Sequence, residues 1–308
     1  MEMEMVEALL RGVASRPGPV ARLASYVLES RGKRIRPALV LLCASLGGGP
    51  AAPALRAAVA VELIHTASLL HDDVIDRSDL RRGVPTVYHR WGAKASVLLG
   101  DYLLTRALEL LLEYQHQVHL GCLLRAVRAM TEGELRQAVD GSPTSERQYL
   151  RMVAQKTAGF MGACCHLGAS IGGLESTACR VLYRFGFRLG VAFQIRDDLL
   201  DLEGNAEDLG KPVGADSVAG YFTLPLIFAL QRRRAHPVIR RLLQEEALTT
   251  CPREVLRRAL TEVGAVQYAR NRALTMARKA VRDLRQLPPG QVRQTLEKLA
   301  WFAVERAR

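Results

Sequence analysis

The chain has 308 residues, 43 Lys+Arg against 31 Asp+Glu for a formal charge of +12, and a hydrophobic share of 49 %. That apolar content excludes extended disorder, and 13 Pro with 25 Gly exclude fibrous and low-complexity classes. There is no run of 18 apolar residues to suggest a membrane span, and the acidic start MEMEMVEALL does not read as a secretory signal.

In chain order, Gly32-Lys33-Arg34-Ile35-Arg36-Pro37 puts cations and a proline at the start of a helix. Ala57–Val74 carries apolar residues at 59, 63, 67, 70 and 74, a helical spacing. Arg77–Arg90 reads as a loop. Further helical stripes cover 94–113, 118–138, 147–171, 178–202, 223–232 and 266–285. Strand-like alternation bounded by hairpin signals is absent. No shift of composition marks a boundary, so the expectation is a single all-α domain over 1–308, a helical bundle. Six cysteines, at 43, 122, 164, 165, 179 and 251, form no CxxC pair and sit among Ala, Leu and Gly. They read as small core residues of a reducing, cytoplasmic compartment. The positive charge is nearly all Arg, with six Lys, and is scattered. Such a balance suits nucleic acid, an anionic membrane surface or a phosphorylated small molecule. Nucleic-acid binding needs basic and aromatic residues gathered on one face, which scattered Arg and 6 % aromatics do not supply.

One internal echo stands out. Ser68–Asp76 (SLLHDDVID) is matched by Phe193–Asp201 (FQIRDDLLD), each placing DDxxD near the end of an apolar helix. Residues i and i+4 of a helix share a face, about 6 Å apart along the axis, so Asp72 and Asp76 point one way. Like charges there repel, and a hard cation is the natural compensation. Mg²⁺ prefers a few carboxylates plus water and phosphate oxygens to an all-protein cage. Two such sets on facing helices, Asp72, Asp73 and Asp76 with Asp197, Asp198 and Asp201, are expected to hold a metal-bridged diphosphate. Cations accompany both: Arg81 and Arg82 past the first, Lys211 past the second, and Lys156-Thr157 inside a helix between them. The helix start at Lys33 and Arg36 offers a second phosphate site. His65 lies two turns before Asp72, on nearly the same face.

The strings GKRIRP, ELIHTASLLHDDVIDRSDLRRGVPT, GDYLLTRA, QKTAGF, AFQIRDDLLD and LGKPVGAD resemble those of the trans-type polyprenyl diphosphate synthases, over essentially the whole chain from Gly32. Within that family the chain looks most like the catalytic component II of bacterial two-component heptaprenyl or hexaprenyl diphosphate synthases. The resemblance implies a bundle around a deep central cavity and Mg²⁺ as cofactor, about three ions once substrate is bound. It implies that Asp72, Asp73, Asp76, Asp197, Asp198 and Asp201 hold the metal. Arg81, Lys156 and Lys211 contact the allylic diphosphate, which is expected to be farnesyl diphosphate. Lys33, Arg36, His65 and Arg82 receive isopentenyl diphosphate, and Thr157 and Gln194 flank the carbon that becomes cationic. Pairing is expected through the helix containing Gly100–Leu112, either with a small helical partner subunit or with a second copy. Membrane contact is at most peripheral, for product release. Two departures stand near the second acidic set: Ala215 and Tyr221 occupy positions where many members carry Lys.

Product length is read from the helix before Asp72. In the family an aromatic four or five residues before the first Asp stops growth early; here those positions are Ser68 and Ala67, with Ile64 a turn further up. One helical turn of 5.4 Å meets about one isoprene unit, which predicts a long product, about C30 to C40, rather than about C15 or C20. Such a product suits a quinone side chain. The alternatives are a homodimeric short-chain farnesyl or geranylgeranyl diphosphate synthase and a non-catalytic regulatory subunit. A terpene cyclase is disfavoured by DDLLD and GKRIRP.

Overall fold

A computed structural model describes residues 2–13, 17–29, 32–49, 51–81, 83–112, 120–203, 223–231, 239 and 253–306. The expected roles of Arg82, Lys211, Ala215 and Tyr221 lie outside these residues, as does Cys251. The described elements are helices, apart from one two-stranded hairpin. They run α1 (Glu2–Gly12), α2 (Pro19–Leu28), α3 (Ile35–Ser45), α4 (Ala51–Ile75), β1 (Leu80–Arg81), β2 (Val84–Pro85), α5 (Val87–Leu112), α6 (Leu120–Asp140), α7 (Glu146–Val153), a π-helical turn (Ala154–Ala158), α8 (Gly159–Ile171) and α9 (Ser176–Glu203). They continue with α10 (Leu224–Gln231), α11 (Arg253–Glu262), α12 (Ala265–Leu284) and α13 (Gln291–Glu305).

The expectation of a plain loop over Arg77–Arg90 is corrected here. β1 and β2 pair antiparallel, Leu80 opposite Pro85 and Arg81 opposite Val84. The helix after them starts at Val87 because Thr86 caps it: Thr86 Oγ1 accepts from His89 N at 3.0 Å. α5 is then kinked at Gly92, whose φ of 82° suits a residue without Cβ.

The chain divides into two compact units, Met1–Arg125 with Ala163–Tyr183, and Ala126–Gly162 with Arg184–Arg308. In the first unit α4 packs mainly on α5 and α3. The middle of α4 is largely apolar and accordingly buried: Ala57, Ala58, Val59, Ala60, Val61, Leu63 and Ile64 are each at most 3 % exposed. By length and composition this helix is able to cross a membrane, yet its most apolar stretch is 72 % buried within the fold, as a core helix is. Cys43, Cys164 and Cys165 also fill core positions, as free thiols. Burial pushes the Cys164 thiol up to about 12, so it stays protonated. In the second unit one apolar cluster joins Tyr149 and Val153 of α7, Ile195 and Leu199 of α9, Ile227 of α10 and Ala269 of α12. α12 is packed against α10, α11 and α13.

Candidate active site

In the first unit a single arginine organises the entry to α3. Arg34 adopts a left-handed backbone (φ 46°, ψ 38°), a conformation costly for a residue with a side chain. Three ties offset that cost. Its Nε donates to Glu7 Oε1 and its Nη1 to Glu62 Oε1, both at 2.7 Å, and its Nη2 donates to the Leu28 carbonyl at 2.6 Å. Burial works against the guanidinium charge, but Glu7 and Glu62 more than offset it and hold Arg34 firmly protonated. One side chain thus fastens α1, α2 and α4 to the start of α3. Lys33 is exposed just ahead of that helix, and Arg36 is half-buried in its first turn.

α4 ends in the first acidic set. Asp76 lies one residue past its last turn, yet the Asp76 amide still donates to the Asp72 carbonyl at 2.8 Å, so the two keep the i, i+4 relation. Asp72 is half-buried, Asp76 exposed and Asp73 buried. Three carboxylates at the negative pole of a helix oppose its dipole and call for positive charge. The hairpin supplies one: Arg81 returns to Asp73, its Nε and Nη2 each 2.8 Å from Oδ1. Arg34, Glu62, His65, Asp73 and Arg81 line one groove together with Tyr26 and Thr86. Ala67 and Ile64 are buried and Ser68 half-buried; none of the three lines that groove.

The second unit holds the other acidic set on α9, with Asp197 and Asp201 half-buried and Asp198 buried. A hydrogen-bonded chain runs into Asp198. Thr157 Oγ1 donates to Gln194 Oε1 at 2.9 Å, Gln194 Nε2 donates to Asp198 Oδ1 at 3.0 Å, and Tyr149 OH donates to Asp198 Oδ2 at 2.5 Å. Both Asp198 oxygens are thereby engaged inside the protein. This orients the Gln194 carbonyl and the Thr157 hydroxyl as a pair of dipoles. Close approach makes the pairing possible: a Cβ on Gly190 would stand 2.6 Å from Ala158 Cα, so α9 passes directly against the turn that carries Thr157. That turn is π-helical, a form that favours functional sites because it displaces side chains from α register. Lys156, on the same turn, pairs with Glu134 of α6 at 2.6 Å.

The structure therefore joins Asp73 to Arg81 and Thr157 to Gln194. It adds Arg34, Glu62, Glu134, Tyr149 and Arg306, which sequence reasoning did not single out. Arg306 binds Asp197 at 2.5 Å. Tyr149 lacks any signal in sequence, whereas Arg34 could have been suspected from its place inside GKRIRP. Among the described residues no three His, Cys, Asp or Glu side chains gather into a ready-made metal cage. The donor set nevertheless fits a hard divalent cation. Asp72 and Asp76 are paired carboxylates at a helix's negative pole, and such an ion completes its shell with phosphate oxygens.

The Tyr149 contact gives a direct expectation. Tyr149→Phe removes the donor to a buried carboxylate and is expected to cost about 1.5–3 kcal/mol. The check is a lower urea unfolding midpoint together with slower turnover. An unchanged midpoint would remove Tyr149 from the network.

An all-α chain whose long core helix ends in DDxxD sits among enzymes of isoprenyl diphosphate chemistry. The comparisons make this specific: the polyprenyl synthetase family model matches residues 18–262, and the chain belongs to that family. It is 38 % identical over 291 residues to the octaprenyl diphosphate synthase of Haemophilus influenzae, covering 93 % of this chain and 88 % of that protein. It is 37 % identical over 302 residues to heptaprenyl diphosphate synthase component 2 of Geobacillus stearothermophilus, covering 97 % and 94 %. Among solved structures it matches the polyprenyl synthase of Caulobacter crescentus, crystallised with calcium and isoprenyl diphosphate. There the TM-score is 0.93 at 35 % identity, covering 100 % of this chain and 95 % of that one. The chain is a prenyltransferase of this all-α family.

Proposed function

We propose that the chain is a Mg²⁺-dependent, long-chain trans-polyprenyl diphosphate synthase. It adds isopentenyl diphosphate head to tail onto an allylic diphosphate, probed here as farnesyl diphosphate. The observation that carries this reading is the acidic end of α4, with Arg81 on Asp73 and His65 in the same groove. We take residues 1–308 to act as one synthase domain in the cytoplasm, with Asp72, Asp76, Asp197 and Asp201 holding the cations. Bound Mg²⁺ supplies charge that stabilises the departing diphosphate.

The protein's own groups do the rest. Lys156 and Arg81 hold the allylic diphosphate, and Lys211 is assigned with them. Lys33, Arg36, His65 and Arg82 hold isopentenyl diphosphate. The C–O bond of the allylic diphosphate breaks, and its electron pair leaves with diphosphate. The isopentenyl double bond then forms the new C–C bond. A proton is lost from the adduct to the departing diphosphate, which restores an allylic product. The Thr157 and Gln194 oxygens stabilise the cation, and apolar walls exclude water from it.

The reading includes a product of about C30 to C40 for a quinone side chain, and a role as catalytic subunit beside a small helical partner. Two observations support partnership: the similarity to a component 2 protein, and an exposed apolar stripe on α5. Val97, Leu98, Leu108 and Leu112 are 39 %, 57 %, 39 % and 70 % exposed. Purified chain is to be incubated with farnesyl diphosphate, radiolabelled isopentenyl diphosphate and Mg²⁺, alone and with a candidate small subunit. Long-chain product only in the mixture is the expected result. Full synthesis by the lone chain overturns the two-component part, and no incorporation in either arm overturns the synthase reading.

A further inference from the structure

The C-terminal end of the described chain grips α9 at the second acidic set. The Arg306 side chain is 4 % exposed. Its Nη2 donates to Asp197 Oδ1 at 2.5 Å and to the Phe193 carbonyl at 3.2 Å, and its guanidinium lies 3.9 Å from the centre of the Phe193 ring. From the other direction Arg196 donates through Nε and Nη2 to the Arg306 carbonyl at 3.1 and 2.8 Å, while its Nη1 is tied to Glu203 at 3.0 Å. Two successive residues of α9 thus bind one residue 109 and 110 positions further along.

Fold stability alone does not call for a cation here, because an apolar side chain packs in a buried place without the desolvation cost of a guanidinium. What arginine adds is direction: a planar fork pinned by the Phe193 ring and carbonyl fixes the carboxylate it meets. The Asp197 side chain remains 40 % exposed while Arg306 holds its Oδ1. A carboxylate has about four lone-pair directions, and a contact on Oδ1 is compatible with binding a cation as well.

We propose that Arg306 is a positioning residue for the reaction, holding Asp197 in the orientation from which that carboxylate takes a divalent cation shared with a diphosphate. This rests on the reading of Asp197 as a metal ligand given above. Partners behind a metal ligand commonly change metal affinity by about 10–100-fold when removed.

The experiment is a Mn²⁺ titration of the full chain in the presence of inorganic diphosphate, with free Mn²⁺ followed by electron paramagnetic resonance. Arg306→Gln is expected to weaken Mn²⁺ binding about tenfold, with unchanged far-ultraviolet circular dichroism. Asp197→Asn is expected to weaken it at least as much, and the double variant no further than Asp197→Asn alone. Should Arg306→Gln unfold the chain, Arg306→Lys keeps the charge, loses the fork and carries the same test, with about threefold weaker binding expected. Wild-type affinity in the folded Arg306 variant, or effects that simply add, overturn the positioning role. Wild-type affinity in Asp197→Asn overturns instead the ligand reading beneath it.

Discussion

Asp72→Asn is expected to lower kcat about a thousandfold, on the order of 4 kcal/mol of transition-state stabilisation, while leaving the fold intact or slightly firmer. The two effects have separate causes. Amide and carboxylate share a shape, so packing at the half-buried end of α4 is unchanged. The substitution also takes one negative charge from three at the helix's negative pole, which relieves repulsion of a few tenths of a kcal/mol. A group retained for the reaction shows this signature: activity collapses and stability does not. Asp73→Asn is the informative contrast. Asp73 is buried and bound to Arg81, so weakening that pair is expected to lower the melting temperature, by roughly 3 kcal/mol or more of stability. Steady-state turnover with thermal melting of both variants checks the pair of expectations. If Asp72→Asn keeps turnover within about threefold of wild type, the acidic end of α4 is not where the diphosphate leaves.

Ala67→Phe is expected to shorten the product from about C30–C40 to about C15–C20, by placing a ring on α4 one turn before His71. Ala67 is 3 % exposed, so the ring must displace neighbours, at about 1–3 kcal/mol of stability. A mere loss of fold lowers yield at every length, whereas a blocked channel moves the distribution downward. Reversed-phase chromatography of the dephosphorylated products separates these outcomes. Ser68→Phe, at a half-buried position, repeats the test with less overpacking. An unchanged distribution in both variants would falsify the placement of the growing chain along this helix.

What could be read from sequence was whatever depends on local periodicity. Apolar residues at 59, 63, 67 and 70 demand a helix, and burial of the middle of α4, from Ala57 to Ile64, follows from its largely apolar make-up. The DDxxD spacing likewise survives as an i, i+4 pair because one backbone hydrogen bond continues past the end of α4. The hairpin at Leu80–Pro85 was missed because two-residue strands carry no alternation to detect. The π turn at Ala154–Ala158 was missed because its residues, Ala-Gln-Lys-Thr-Ala, are ordinary helix formers with one β-branched exception. The partners of the chemistry were hidden for another reason. Tyr149 and Asp198 are 49 residues apart, and Arg306 and Asp197 are 109 apart. No spacing rule spans such separations; only the folded chain brings them together.

The π turn has a consequence for how this stretch can change. Five residues there occupy a wider loop of the helical ladder than the α form allows, which amounts to one surplus position. Losing a single residue from the stretch would let the ladder close into uninterrupted α-helix. The wider turn takes up the surplus residue, so its loss would leave the flanking helices in nearly the same register, whereas the same loss within α7 or α8 would turn one side by about 100° relative to the other. What such a deletion would change is the stretch itself: Lys156 and Thr157 would return to α spacing and lose the displaced positions from which they meet Glu134 and Gln194. A codon loss along these five positions would therefore spare the scaffold and strike the site.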